Sequence, residues 1–198
     1  MKNDWSPPSL EKSAQKKCVC INTLSRSFDG NNSVNYAVKQ DNLRKDRIQL
    51  LMEYSFEICQ MFGKVYLTRD QQGTALILYP EKKKTTLKSI FLDIKLAVSS
   101  IGISRVKKIV SRDNRIKSLH PKTAICYLWF IGVNPESQGK GIGKRLMQEI
   151  IQDHDQLPIY LETSVPQNVG FYESLGFHVY SELMFDHKLF LMKRPADP

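Results

Sequence analysis

The residues whose types and spacing best suit chemistry are Gln138-Gly139-Lys140-Gly141-Ile142-Gly143. They stand between an apolar run, Ala124 to Val133, and a helical pattern in which Ile142, Leu146, Met147, Ile150 and Ile151 share a face. The unit reads as strand, glycine turn, helix. At such a turn the first N–H groups of the helix lack intrahelical partners and carry the positive end of its dipole. Glycine lets the backbone fold tightly and lets a ligand approach with no Cβ in the way. The chemistry is therefore phosphate capture. A merely structural turn would not favour so many glycines, because each one costs helix stability. The nucleotide-binding pattern GxxxxGK[ST] is absent, and Lys144 occupies the place of the last glycine in GxGxxG.

The stretch V-N-P-E-S-Q-G-K-G-I-G-K, Val133 to Lys144, resembles the acetyl-coenzyme A motif of the GNAT N-acetyltransferases, V-x-P-x-x-[QR]-G-x-G-x-[GA]. PIYLETS, a strand candidate, and NVGFYESLGF, with its Asn and closing Tyr-x-x-x-Gly-Phe, extend the resemblance over Ala124 to Val179. It implies an α/β fold with a central mixed, mostly antiparallel sheet flanked by helices. It also implies acetyl-CoA as co-substrate, no metal, and transfer of an acetyl group to a primary amine by direct transfer in a ternary complex. Backbone N–H groups from Gln138 through Gly139, Lys140, Gly141, Ile142 and Gly143 to Lys144 would hold the pyrophosphate, with Lys140 or Lys144 adding a charge-assisted bond. Ile131, Gly132 and Val133 would pair with the pantetheine arm. The N–H of Val133 would polarise the thioester, exposed by a bulge beside Gly132. Asn168 would bond the pantetheine or phosphate region, and it is also a favoured N-cap at an expected helix start.

Tyr172 matches the family's acid. A free thiol is more acidic than a phenol by about 1.5 pKa units, so proton transfer from tyrosine to thiolate is uphill by roughly 2 kcal/mol unless the site narrows that gap. A packed role beside Phe171 is the alternative for Tyr172. The base is less evident. Deprotonating a primary amine at neutral pH costs about 4–5 kcal/mol, and the central strand ICYLWFIGV, where some family members carry a carboxylate, has none. Glu162 on the next strand is the nearest candidate, directly or through water, against a purely structural carboxylate. Glu53 and Tyr54 are weaker options.

The elements that must position these groups follow from period and punctuation. Residues 1–14 read as a flexible arm and 15–198 as one domain. Lys17 to Asn22 alternates and suggests a first strand, Thr23 to Phe28 could open a short helix, and Asp29 to Ser33 reads as a loop. A helix is expected from Asp41 to Phe62, closed by Gly63. A hairpin follows, Val65–Thr68 with Thr74–Tyr79. Thr86 opens a helix with Leu87, Ile90, Ile94, Val98 and Ile101 on one face, and Ser104 caps another. These two helices suit substrate selection, or simply cover the sheet. Strands at Ile159–Thr163, His178–Phe185 and Leu189–Lys193 complete the sheet, with a helix from Asn168 to Leu175 and Gly176 as its left-handed end.

Composition narrows the class. The chain has 198 residues and ordinary apolar and charged fractions. Its longest apolar run is about half the ~20 residues of a membrane helix, and MKNDWSPPSLEK lacks a signal-peptide pattern. A cytoplasmic protein with no membrane partner is the expectation. Cys18, Cys20, Cys59 and Cys126 show no CxxC spacing and read as reduced thiols. The formal charge of +9 is scattered. Lys82-Lys83-Lys84 reads as a solvated face, without the aromatic interleaving of a nucleic-acid site. The favoured acceptor is a small amine. A coenzyme A-binding module without turnover, a protein (N-terminal or lysine) acetyltransferase and a basic nucleic-acid-associated protein are the competing readings. Whether the chain forms a homodimer stays open.

Overall fold

A computed structural model describes residues 10–197. Their elements are α1 (Leu10–Ser27), α2 (Asn32–Ala37), α3 (Arg44–Phe62), β1 (Gly63–Leu67), β2 (Gly73–Leu78), α4 (Leu87–Leu96), α5 (Ile103–Lys117), β3 (Cys126–Val133), α6 (Ile142–Asp153), β4 (Ile159–Thr163), α7 (Gln167–Glu173), β5 (His178–Met184) and β6 (Lys188–Arg194). A π-helical turn, Ala97–Ile101, joins α4 to α5. The strands form one sheet in the order β1-β2-β3-β4-β6-β5. Only β3 and β4 run parallel, and they pair at just Cys126↔Ile159 and Tyr127↔Tyr160. This is the mixed, mostly antiparallel sheet flanked by helices that the sequence implies.

Alternation along the strands divides the core between the two faces. Leu76, Leu78 and Phe130 pack against α1 and α3, with Leu24, Ile48, Met52 and Ile58 fully buried there. Ala75, Ile77, Cys126 and Leu128 pack against Leu146, Met147 and Ile150 of α6 and Tyr172 of α7. A smaller cluster seats Ile116 of α5 on Leu183, Leu189 and Leu191 of the closing hairpin.

Several expectations need correction. Lys17 to Asn22 is not a strand. Cys20, Ile21 and Leu24 are buried at helical spacing while Cys18 is exposed, so the 3.6 period wins over a weak alternation. Helix α1 starts at Leu10, which makes 10–14 of the expected arm helical, and residues 1–9 lie outside the described residues. The expected loop over 29–33 is shorter, since Asn31 caps α2 by accepting the N–H of Val34 at 3.1 Å. Helix α3 starts at Arg44 rather than Asp41, whose carboxylate instead holds the Leu43 N–H and both Nε and Nη2 of Arg47. Helix α5 starts at Ile103, after Gly102 at φ 83°, and not behind a Ser104 cap. The stripe of α4 does not cover the sheet: of its residues only Ile101 is buried.

The bulge also lies elsewhere. The register of β2 against β3 slips between Leu76↔Phe130 and Ile77↔Leu128, so Trp129 is the extra residue, while Gly132 pairs regularly with Thr74. Gly132 is glycine for another reason. A Cβ there would meet Ser27 Oγ at 2.3 Å and Leu24 Cδ2 at 3.1 Å, so the bare backbone lets α1 lie on β3. Gly63, where α3 turns into β1, is tighter still, because a Cβ would stand 1.8 Å from the carbonyl oxygen of Ile77.

Gly63→Ala is expected to destabilise the fold by at least about 2 kcal/mol, since the clash is with backbone that cannot rotate away. Gly170→Ala, inside α7 with nothing within 4 Å of the new methyl, is expected to stabilise by about 0.5–1 kcal/mol. Urea denaturation of both variants checks the contrast. Equal effects would show that local crowding does not decide these positions.

Candidate active site

The turn after β3 is built as its glycines suggest. Gly139 and Gly141 sit at φ 76° and 74°, the left-handed region that a Cβ disfavours. Pro135–Ser137 forms a short 3₁₀ turn, tied to the end of α1 by the ion pair of Arg26 with Glu136 at 2.5 Å. Arg145 is the first residue of α6 whose N–H finds a backbone acceptor, Gly141 O at 3.1 Å. Among the described residues, the N–H groups of Gly139, Lys140, Gly141, Ile142, Gly143 and Lys144 meet neither a backbone nor a side-chain acceptor. Six consecutive free donors at a helix N-terminus form an anion cradle. The side chains of Lys140 and Lys144 are exposed beside it.

The cradle opens onto an unpaired strand edge. Asn134 gives its N–H to Gln72 O at 2.8 Å. Antiparallel alternation then points the polar backbone of Gly132 at β2 and that of Ile131 and Val133 at the other edge. There β4 has already parted from β3, beyond Tyr127. Gln138 Nε2 caps the Val133 carbonyl at 3.2 Å, and the N–H groups of Ile131 and Val133 face the gap.

Where the strands part, on the face of α1 and α3, lies a cluster that the sequence reading found only in part. Glu162 of β4 is one member. Its Oε2 accepts from the Tyr127 hydroxyl at 2.5 Å, and its Oε1 lies 3.0 Å from His120 Nε2. A carboxylate only accepts, so the proton of that second bond sits on Nε2, and in the neutral ring the lone pair is on His120 Nδ1. The side chains of His120 and Glu162 are each about a tenth exposed. Burial, and next the Glu162 carboxylate, push the Tyr127 phenol well above its usual range. Tyr127 and His120 were missed because they meet Glu162 only through the β3–β4 register and the chain reversal after α5.

The other candidates separate. Tyr172 is buried between Phe171 and Phe177, with ring centroids at 5.1 and 5.7 Å, and desolvation raises its phenol pKa. Asn168 is not a cap. It is the second residue of α7, behind Pro166, and its side chain is exposed. Glu53 is locked between Lys95 and Lys17 at 2.9 and 3.0 Å, and the Lys95 hydrogen bond leads in holding its carboxyl low. Tyr54 donates to Asp93 at 2.6 Å. Neither is free to take a proton. Among the described residues no group of His, Cys, Asp and Glu is arranged to hold a metal ion.

A second polar cluster joins α2 and α5 to the closing hairpin. Ser33 Oγ of α2 meets His187 Nε2 at 2.9 Å and accepts from Arg112 Nη2 at 3.2 Å. Tyr36 packs on Phe185 and His187. Burial, then the Arg112 charge, lower the His187 pKa.

Residues 101–179 match the family model described as acetyltransferase (GNAT) domain. A curated relative, an uncharacterized N-acetyltransferase of Schizosaccharomyces pombe, is 43% identical over 61 residues, which are 30% of this chain and 24% of the relative. The match thus spans about a quarter of that relative's length. Among solved structures the chain is similar to a Corynebacterium glutamicum protein described as histone acetyltransferase HPA2 and related acetyltransferase. The identity is 19% and the TM-score 0.64, with 93% of each chain covered. It is also similar to arylalkylamine N-acetyltransferase 2 of Aedes aegypti, at 16% identity and TM-score 0.57, covering 93% of this chain and 96% of that one. These likenesses are likenesses of fold. The mostly antiparallel six-stranded sheet with its flanking helices is the fold of the GNAT acetyltransferases. The likeness to the GNAT acetyltransferase family is carried by residues 101–179, and over the rest of the chain it is one of fold.

Glu162→Ala is expected to destabilise by about 1–3 kcal/mol, because it leaves the buried Tyr127 hydroxyl and the His120 N–H without an acceptor. Glu162→Gln, which keeps one acceptor, should cost less, and urea titration distinguishes them. The His187 shift has a defined sign. The folded state disfavours the imidazolium, so stability is full above the ordinary value near 6.5 and is lost as pH falls through the lower folded value. His187→Gln should flatten the fall in stability below pH 6.5. An unchanged slope would remove His187 as its source.

Proposed function

We propose that the protein is an acetyl-coenzyme A-dependent N-acetyltransferase that acetylates a primary amine of a small molecule by direct transfer in a ternary complex. The observation that carries this reading is the run of six free N–H groups, Gly139 to Lys144, opening onto the unpaired edge of β3. Free N–H groups at a helix N-terminus favour an anion, and a pyrophosphate followed by an amide-bearing arm supplies partners for both stretches.

In this reading acetyl-CoA contributes the activated acetyl group as a thioester. Gly139 to Lys144 bind its pyrophosphate, while the Gln138 N–H, expected among these donors, is held by Pro135 O at 3.3 Å, and exposed Asn168 bonds the arm or its phosphate. Gly132 keeps α1 close under the strand, while Ile131 and Val133 offer N–H groups to the arm and to the thioester carbonyl. Tyr172 gives a proton to the departing sulfur, and because burial raises its phenol and widens the gap to the thiol, the proton moves as the C–S bond breaks. Both oxygens of Glu162 are engaged, so we assign the amine's proton to His120 Nδ1, with Glu162 fixing the tautomer and orientation of the ring. Cys126 sits in the same cluster as Tyr172, but burial pushes its thiol up to about 12. It stays protonated, which disfavours an acetyl-cysteine step and supports direct transfer. The closing hairpin leans on α2 through Ser33–His187 and Tyr36–Phe185, which favours a compact acceptor over an extended peptide.

Calorimetric titration with acetyl-CoA is expected to give micromolar affinity, matched by desulfo-CoA and not by ATP. His120→Ala should lower kcat about 100-fold with acetyl-CoA affinity preserved, and added imidazole should restore part of the rate. Tyr172→Phe should lower kcat at least tenfold. No binding by folded protein would overturn the whole reading. Full turnover by His120→Ala would overturn only the assignment of the base.

A further inference from the structure

Helix α4 is built inside out. Its N-terminus is closed by a reciprocal cap, Ser89 N–H to Thr86 Oγ1 at 3.0 Å and Thr86 N–H to Ser89 Oγ at 2.9 Å, so the helix is well formed. It is attached to α3 largely by polar contacts. Lys88 meets Glu57 at 2.6 Å, Lys95 meets Glu53 at 2.9 Å, and Asp93 accepts from Tyr54 at 2.6 Å. Ser89 and Leu92 face inward and are buried. The outward face carries Leu87, Ile90, Phe91 and Ile94, continued by Val98 of the π-helical turn, and these are 89%, 43%, 66%, 59% and 54% exposed. These positions recur at helical spacing and form one stripe. A soluble helix normally turns such a stripe to the core. Immediately before α4, Lys82, Lys83 and Lys84 are all exposed and enter none of the ion pairs among the described residues.

We propose that α4 is an interfacial helix that seats the protein on an anionic lipid bilayer surface. The five apolar side chains enter the boundary between headgroups and acyl chains, and Lys82 to Lys84 lie against lipid phosphates. Charge selects this occupant. A bare apolar stripe beside lysines that no carboxylate pairs, Lys82 resting over the Tyr79 ring at 4.2 Å, matches a surface that is apolar below and negative above. A second copy of the chain is a poorer fit, because a two-fold contact through the stripe adds a second set of the same lysines around one apolar contact. The stripe is also far smaller than the roughly 20–30 residues that each side of a stable protein interface usually contributes. Among the described residues no helix is long and apolar enough to cross a membrane. The expectation of no membrane partner rests on that length criterion, which does not apply to a helix lying in the plane of the interface.

The full chain is mixed with vesicles of phosphatidylcholine alone or with phosphatidylglycerol added, then floated through a density gradient. Partition into the anionic vesicles is expected to be at least tenfold higher and to fall as salt is raised. Phe91→Glu with Ile94→Glu should reduce it at least tenfold, with the melting temperature unchanged because both side chains are already in water. Replacing Lys82, Lys83 and Lys84 by Gln should reduce it on anionic vesicles only. Three results would each overturn the proposal: no partition by the wild-type chain, partition that ignores the Phe91–Ile94 pair of substitutions, or a solution dimer that those substitutions split.

Discussion

Everything at the candidate site depends on the parting of β3 from β4. The two strands share a parallel register over only two residue pairs. Beyond Tyr127, β3 continues alone on that edge to Val133, while β4 stays paired for its whole length with β6. An unpaired edge inside a domain leaves donors and acceptors that water or a ligand must satisfy. The glycine turn extends this debt, since the backbone that leaves β3 runs directly into the free N–H groups at the start of α6. Strand edge and helix N-terminus therefore form one track with two groups of free donors, separated by the 3₁₀ turn, whose Ser137 and Gln138 N–H groups are bonded within it. Side-chain identity matters little along it, which explains why glycine is the most informative residue type there.

The track is held open by contacts outside it. Helix α1 lies on β3 at Gly132, and its Arg26 grips Glu136 just before the turn. Gln72 fastens Asn134 and Ser137 from the other side, at 3.1 and 3.0 Å. At the closed end of the gap, Tyr127 and His120 brace Glu162. In the proposed reading the proton donor Tyr172 belongs to the α6–α7 face of the sheet and the proton acceptor His120 to the α1–α3 face. The gap between the strands is where the two faces communicate.

The sequence showed the half of the chain whose chemistry is written in backbone and spacing. From Ala124 onward, strand, turn, helix and closing hairpin fall near their expected limits, because glycines and apolar periods mark them directly. Before that, Cys-Val-Cys-Ile imitates a strand, and only burial of Cys20 together with Leu24 decides for a helix. Glu162 was legible as a carboxylate near the site. Its partners were not, since His120 lies 42 residues away in the chain and Tyr127 reaches it through an inter-strand register that no local pattern encodes. The α4 stripe was legible as a stripe, but a hydrophobic period does not say which way it faces.

The extra residue at Trp129 has a consequence for how one strand serves two neighbours. In plain alternation, Tyr127, Ile131 and Val133 would all look to the same side. The bulge inserts a half-period phase slip. Cys126 and Leu128 on one side of it, and Ile131 and Val133 on the other, can then all turn toward α6, while Tyr127 and Gly132 turn toward α1 and α3. The strand behaves as two short rulers joined out of step. One sets the hydroxyl that braces Glu162, and the other sets the glycine on which α1 rests and the amides that face the gap. Its length is thus fixed to the residue: one position fewer would leave one ruler reading from the wrong face.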